Sequence, residues 1–269
     1  LYINDLPNCL ETSTPTLFAD DTNITISGTN AADVENKANL EMARIHDWLL
    51  ANKLHLNVAK TEFMLVGTRQ RLSNLDAIPA LKIGEKDIKR VSNSKTLGVV
   101  VDENLSWDDH INYIIKKVVS GLGAIKRIRP FVSQDILVTI YNAIVQSYLD
   151  YCCEVWDSLG KGLSDKLQKF QNRAGRIILG TDYRTSSNLV LDVLGWKTLK
   201  EKRAERKAII MHKIMHNNAP ESLTVLFSKV SDSTNYNLRG SNTKLSIPRP
   251  NTEALKKSIS YNGAKVWND

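Results

Sequence analysis

Cysteine is scarce in this sequence and carries no pattern. Three are present, Cys9, Cys152 and Cys153. An odd count with two adjacent members gives no disulfide framework, and no C-x-x-C pair exists to start a zinc site. Cys152 and Cys153 fall in an apolar helical stretch and read as buried thiols of a reduced, intracellular protein. Long apolar runs are also missing. None approaches the roughly 18 to 20 residues that a membrane-spanning helix needs, so no membrane partner is expected. The sequence opens Leu1-Tyr2-Ile3-Asn4-Asp5, with neither an initiator Met nor a basic-then-apolar leader. It therefore reads as part of a longer chain whose upstream segment is missing. No G-x-S-x-G elbow, P-loop or dinucleotide fingerprint occurs, which argues against hydrolase and nucleotide-cofactor classes.

What is present supports a folded protein. Hydrophobic residues make up 42% and charged residues 24% of 269, enough for one large or two ordinary packed domains. Charge is unevenly placed within a net of +7. Residues 1–60 hold eight acids against four bases, a net of −4, which leaves 32 bases and 21 acids, a net of +11, for the remainder. An acidic first quarter able to hold cations, followed by a basic body, suits an enzyme acting on a polyanion.

Along the chain, Leu17 to Gly28 reads as a β-hairpin, with Asp20-Asp21 at its tip and alternation from Thr22 to Ile26. Asn30 offers an N-cap to a helix with apolar Val34, Ala38, Met42, Ile45 and Leu49, ending near Asn52. Short β-like segments follow at Glu62–Val66, Ala80–Ile83, Ile88–Val91 and Leu97–Val101. From Trp107 the pattern is helical, over about Asp109–Ile128, Ser133–Trp156, Leu163–Leu179 and Thr198–His216. Residues 217–250, rich in Asn and Ser and punctuated by Pro, read as irregular. The expected class is α+β, divided into 1–105, a helical basic 106–216 and an irregular 217–269.

Two adjacent carboxylates at a hairpin tip repel each other, unless Asp-Asp is there only because both residues suit turns. A divalent cation would make the pair sensible, since Mg²⁺ takes hard carboxylate oxygens and leaves positions open for phosphate. Further along, Lys161 to Lys213 holds 13 bases against five acids. Lys166, Lys169, Arg173 and Arg176 repeat at helical spacing and share one face. Such a row can follow a phosphate backbone without reading sequence, though it also describes any solvated helix face. His212 and His216 lie four apart but lack the Glu and the third ligand of a hydrolytic zinc site. The five tryptophans are spread widely and read as core anchors.

Several blocks, taken in order, resemble one family. Leu1-Tyr2-Ile3-Asn4-Asp5-Leu6-Pro7 followed by Leu17-Phe18-Ala19-Asp20-Asp21-Thr22 resembles the stretch entering the catalytic hairpin of reverse transcriptases from retrotransposons without long terminal repeats (LINE-like, jockey-type). Phe18 to Asp21 matches their aromatic-x-Asp-Asp box. Trp48-Leu49, Asn52, Leu54, Leu56-Asn57 and Lys60-Thr61-Glu62 are similar to the next palm motif. Lys95-Thr96-Leu97-Gly98-Val99, with Asp102, Leu105, Trp107 and His110-Ile111, resembles the segment joining palm to thumb. Leu167-Gln168-Lys169, Gln171-Asn172-Arg173-Ala174 and Arg176-Ile177-Ile178 look like a helix of the C-terminal region. Tyr261 to Asn268 is similar to a block near its end.

The resemblance implies a partial polymerase palm (a β-hairpin and helix with a small antiparallel sheet) followed by a mostly α-helical thumb and C-terminal region. It implies an RNA-directed DNA polymerase that uses Mg²⁺, an RNA template, a DNA primer and deoxynucleoside triphosphates. Asp20 would ligate metal directly, and Asp21 would be a second ligand or an electrostatic support. Lys60 would lie near the incoming triphosphate, or be a solvent-exposed lysine beside a strand. The region of Gly98 would lie against the primer, or Gly98 would simply permit a tight turn. The third metal-binding aspartate and the fingers would precede Leu1, so this stretch alone is expected not to polymerise. A decayed or repurposed nucleic-acid-binding module without catalysis is the alternative. A metal-dependent nuclease would need more carboxylates and a His near Asp20.

Overall fold

The computed structural model describes residues 2–75, 77–233 and 243–269. Leu1 of the first matched block and residues 234–242 of the stretch read as irregular lie outside them. The chain divides into two compact units, Leu1–Leu105 and Ser106–Asp269.

In the first unit a 3₁₀ turn at Leu6–Cys9 precedes a hairpin of β1 (Thr14–Phe18) and β2 (Asp21–Thr25). Helix α1 (Ala31–Ala51) follows, and the Asn30 side chain caps it by accepting from the Asp33 N–H at 2.9 Å. A 3₁₀ turn at Val58–Lys60 leads to β3 (Glu62–Phe63), α2 (Arg69–Ser73), β4 (Lys82–Ile83), β5 (Lys86–Asp87), β6 (Lys89–Arg90), β7 (Asn93–Thr96) and β8 (Val99–Asp102). Ile45 and Leu49 of α1 close over Ile83 and Ile88, joined by Met42, Trp48, Leu54, Phe63 and Leu81.

One small antiparallel sheet was the expectation for this unit. The strands instead form four separate two-stranded ladders, β1–β2, β4–β5 and β7–β8 antiparallel and β3–β6 parallel. Strands β3 to β6 are each two residues long, with Pro79 and Gly84 close by, too short for a shared ladder. The segment read as a strand from Leu97 starts two residues later, because Leu97 and Gly98 form the turn of a β7–β8 hairpin. Their φ values of 46° and 85° match a two-residue turn whose central residues are both left-handed, which Gly98 adopts freely.

The second unit is helical: α3 (Asp108–Ile128), α4 (Gln134–Tyr141), α5 (Ser147–Asp150), α6 (Cys153–Trp156), α7 (Lys161–Leu179), α8 (Ser187–Leu194), α9 (Leu199–Met215), α10 (Glu221–Thr224), α11 (Val230–Ser233), α12 (Glu253–Lys257) and α13 (Ile259–Asn268). Its core includes Ile111, Ile114, Val118 and Ile125 of α3, Leu137 and Tyr141 of α4, and Leu167, Ala174 and Ile178 of α7. The single helix expected over Ser133–Trp156 is interrupted twice. Asn142–Gln146 form a π turn, where α3 comes so close that a Cβ on Gly121 would lie 2.7 Å from Val145. Cys152, at φ 48°, then breaks the helix outright. Gln146 is buried at the first break, accepting from the Tyr141 hydroxyl at 2.8 Å and donating to Asp150 at 2.7 Å.

The last stretch holds more structure than its Asn and Ser content suggests. Helix α13 packs on α9 around Met211, Ile214, Leu245 and Ala264, and the Asn268 amide exchanges two 2.9 Å hydrogen bonds with the Leu245 backbone. Among the described residues no helix is long and apolar enough to cross a membrane.

Candidate metal and nucleic-acid sites

The paired aspartates sit at the far end of the β1–β2 hairpin. Phe18 pairs with Asp21, so the two-residue turn is Ala19-Asp20 and Asp21 is the first residue of β2. Asp20 is thus in the turn, whereas Asp21 belongs to a strand face shared with Asn23 and the exposed Phe18. Ala19 carries φ 54°, a left-handed conformation that costs an L-residue about 1–2 kcal/mol. Strain of this kind persists where the surroundings over-determine the backbone, and it concentrates at functional sites.

Both aspartates are exposed. Among the described residues neither side chain has a hydrogen bond or an ion pair, so their mutual repulsion is left to water or a bound cation. The donor set suits a hard divalent ion in kind: two exposed carboxylates adjacent in sequence. In number it supplies part of a site. Among the described residues no cluster of three or more His, Cys, Asp or Glu could hold a metal.

Lys60 ends the exposed 3₁₀ turn before β3, and among the described residues no hydrogen bond or ion pair joins it to either aspartate. Gly98 occupies the β7–β8 turn described above. The four cations read as one row on α7 divide. Lys166, Lys169 and Arg173 are exposed, and the Lys166 ammonium donates to Asn112 of α3 at 3.0 Å. Arg176 turns inward. Its guanidinium donates to the Thr185 carbonyl at 3.0 and 2.9 Å and to the Ser187 hydroxyl at 3.0 Å, fastening the loop that enters α8.

Arg203 and Lys207 of the 161–213 stretch are internal as well. Asp157 binds both Arg203, at 3.0 Å, and Lys207. Both cations are buried, and Arg203 also donates to Ser164 at 2.7 Å and lies over the Trp156 ring. Arg206 pairs with Asp150 at 3.2 Å and Lys197 with Glu205 at 2.9 Å. The row available to a phosphate backbone is therefore shorter than the base count suggests. His212 and His216 stack, ring centroids 4.0 Å apart, with Trp267 edge-on to His216.

Glu41 was the residue that sequence reasoning missed. Its carboxylate lies on the buried face of α1 between Ala38 and Ile45 and is fully shielded from solvent. It accepts from the Thr12 N–H at 3.0 Å, the Thr12 and Ser13 hydroxyls at 2.8 and 2.9 Å, and the Glu11 N–H at 3.3 Å, and it pairs with Arg44 at 2.9 Å. Burial pushes the carboxyl's pKa up, but the hydrogen bonds from Thr12, Ser13 and Glu11 outweigh it and leave the group below its usual value. The signal was legible: a carboxylate in the apolar stripe of an amphipathic helix requires donors. In the second unit, burial lowers the His110 pKa to about 4 and raises the Cys153 thiol to about 12.

No protein-family model and no solved structure matches the chain. Two curated proteins are similar to it. One is the probable RNA-directed DNA polymerase from transposon X-element of Drosophila melanogaster, 22% identical over 190 residues, which are 68% of this chain and 20% of that protein. The other is the retrovirus-related Pol polyprotein from type-1 retrotransposable element R1 2 of Nasonia vitripennis, 30% identical over 112 residues, 41% of this chain and 27% of that protein. The chain spans 20% and 27% of these relatives' lengths, and it carries a reverse-transcriptase-like region.

Proposed function

We propose that the first unit is the closing part of a reverse transcriptase palm and the second a helical, basic thumb. Together they would serve an RNA-directed DNA polymerase that extends a DNA primer on an RNA template. The observation that carries this reading is the strained, solvent-facing Ala19-Asp20 turn with Asp21 beside it, whose carboxylates have no protein partner among the described residues. The order of the matched blocks and the similarity to the two retrotransposon proteins support it.

In this reading Asp20 and Asp21 hold Mg²⁺ through hard oxygen ligands. The bound ion would supply charge neutralisation and a more acidic primer 3′-hydroxyl, in the two-metal manner of nucleotidyl transfer. Lys60 would offer a cation to the leaving pyrophosphate of a deoxynucleoside triphosphate. The tight turn at Gly98 would bring backbone close to the primer strand, and Lys166, Lys169 and Arg173 would track a phosphate backbone. Arg176 drops out of that set because its donors are committed to Thr185 and Ser187.

Two carboxylates without a third among the described residues would not hold a complete two-metal site. The chain alone is therefore expected not to polymerise, and as an isolated unit it would behave as a nucleic-acid-binding module. Fe²⁺, which replaces Mg²⁺ at such sites and cleaves nearby backbone with peroxide, tests the assignment. Cuts should cluster around residues 18–22 and disappear in Asp20→Asn with Asp21→Asn. Equal cutting in the double variant would remove the hairpin from consideration as a metal site.

A further inference from the structure

The geometry points to Glu41 as the residue that positions Asp20 and Asp21, acting from the root of their hairpin. The inference rests on the reading of that hairpin as a metal-binding element. Glu41 holds three consecutive residues, Glu11 to Ser13, immediately before Thr14 opens β1. Arg44, one turn on, ties the same segment a second time by pairing with both Glu41, at 2.9 Å, and Glu11, at 2.5 Å.

The other leg is tied to the same helix. Asp33, in the first turn of α1, accepts from the Thr29 N–H at 2.9 Å, and Lys37 reaches from Asp33 to the Ser27 carbonyl at 3.3 Å. The entry to β1 is thus fastened by Glu41, and the chain leaving β2 is fastened by Asp33 and Lys37 of the same helix.

This arrangement matters because a two-stranded hairpin is marginal by itself, and β1–β2 shares its ladder with no other strand among the described residues. A one-residue slip would turn every side chain to the opposite face. Asp21 would then leave the solvent-facing side it shares with Phe18, and the turn would no longer present Asp20 beside it. An apolar residue at position 41 would fill the stripe of α1 without any desolvation cost. A buried carboxylate is retained best where it fixes one register against others. Five donors converging on Glu41 do that for the strand leading to the aspartates.

The experiment uses the whole chain, isotope-labelled, with Mn²⁺ as probe and the broadening of the amide signals of residues 20–22 as readout. Asp20→Asn is the control for the metal reading. Thr12→Val removes one surface hydroxyl from the Glu41 clamp without disturbing the core, Thr12→Ser restores it, and Glu41→Gln removes the charge. In the wild type Mn²⁺ should broaden these amides, and Asp20→Asn should abolish the effect. Thr12→Val should raise the Mn²⁺ concentration for half-broadening about fivefold, the equivalent of one hydrogen bond. Glu41→Gln should raise it further, and Thr12→Ser should behave as wild type. A purely structural role would lower the melting temperature and leave half-broadening unmoved in the folded protein. If Asp20→Asn abolishes broadening while Thr12→Val and Glu41→Gln match the wild type, the positioning role falls and the metal reading stands. If Asp20→Asn changes nothing, the metal reading falls and Glu41 has no site to position.

Discussion

Neutralising Lys169 and Arg173 together should flatten the salt dependence of nucleic-acid binding, whereas neutralising Arg176 should not. Lys169 and Arg173 are exposed on α7, and among the described residues neither side chain has a hydrogen bond or an ion pair. Arg176, three residues further on, spends its donors on Thr185 and Ser187. Each phosphate neutralised contributes about −0.9 to the slope of log K against log salt. Three contacts, from Lys166, Lys169 and Arg173, give about −2.7, or about a 40-fold loss of affinity for a fourfold rise in salt. Lys169→Gln with Arg173→Gln should make the slope shallower by about 1.8, so that the same rise costs only about threefold to fourfold. Arg176→Gln should keep the wild-type slope and cost about 1–3 kcal/mol of stability instead, through the orphaned loop carbonyl and hydroxyl. Anisotropy of a labelled RNA–DNA hybrid across a salt series measures the slopes, and chemical denaturation measures the stability. The reasoning is refuted if the Arg176 variant changes the slope, or if the double variant keeps it.

Three further outcomes follow from the internal polar groups and one turn. His110 is held neutral by burial with a folded pKa near 4, while the unfolded chain takes up a proton near 6.5. Stability of the second unit should thus be full above pH 6.5 and fall as pH drops towards 4, by up to about 3 kcal/mol; His110→Phe should flatten that slope in melts taken across the range. Asp157→Ala leaves two buried cations without their counter-charge and should cost about 3–5 kcal/mol by urea denaturation. Replacing Asp157, Arg203 and Lys207 together with apolar residues should recover much of that loss. Gly98→Val places a β-branched residue at φ 85° and should destabilise the first unit by about 1–3 kcal/mol, read from its thermal transition.

Much of the helical framework was legible because its periodicity is strong. Helix α1 begins and ends where Asn30 and Asn52 suggested, and α9 begins after Thr198, whose side chain forms a capping box with Glu201. The breaks after Tyr141 were not legible: the π turn lies where Gly121 of α3 meets Val145, residues far apart in sequence, and nothing local marks Cys152 for a left-handed conformation. Helix α8 escaped notice because eight residues give the 3.6-residue period little room to show itself. The hairpin was visible from alternation, but its turn was placed one residue late, because Ala19 gives no sign that it will adopt a left-handed conformation. Of the cations, spacing assigned Arg176 to the same face as Lys169. It could not tell that the loop carbonyl of Thr185 would claim the guanidinium. Glu41 is the instructive omission, since counting charges left it as one acid of an acidic first quarter although its position in the α1 stripe required a partner.

The proposed function stands on Asp20 and Asp21 as residues of a polymerase palm. Primer extension on an RNA template with Mg²⁺ tests it most directly, with this chain fused behind the palm and fingers segment of a relative that supplies the third carboxylate. The chain alone should give no extension, the fusion should extend the primer, and Asp20→Ala should cut that extension by at least about a thousandfold. A fusion that extends the primer equally well with Asp20→Ala would contradict the proposed function.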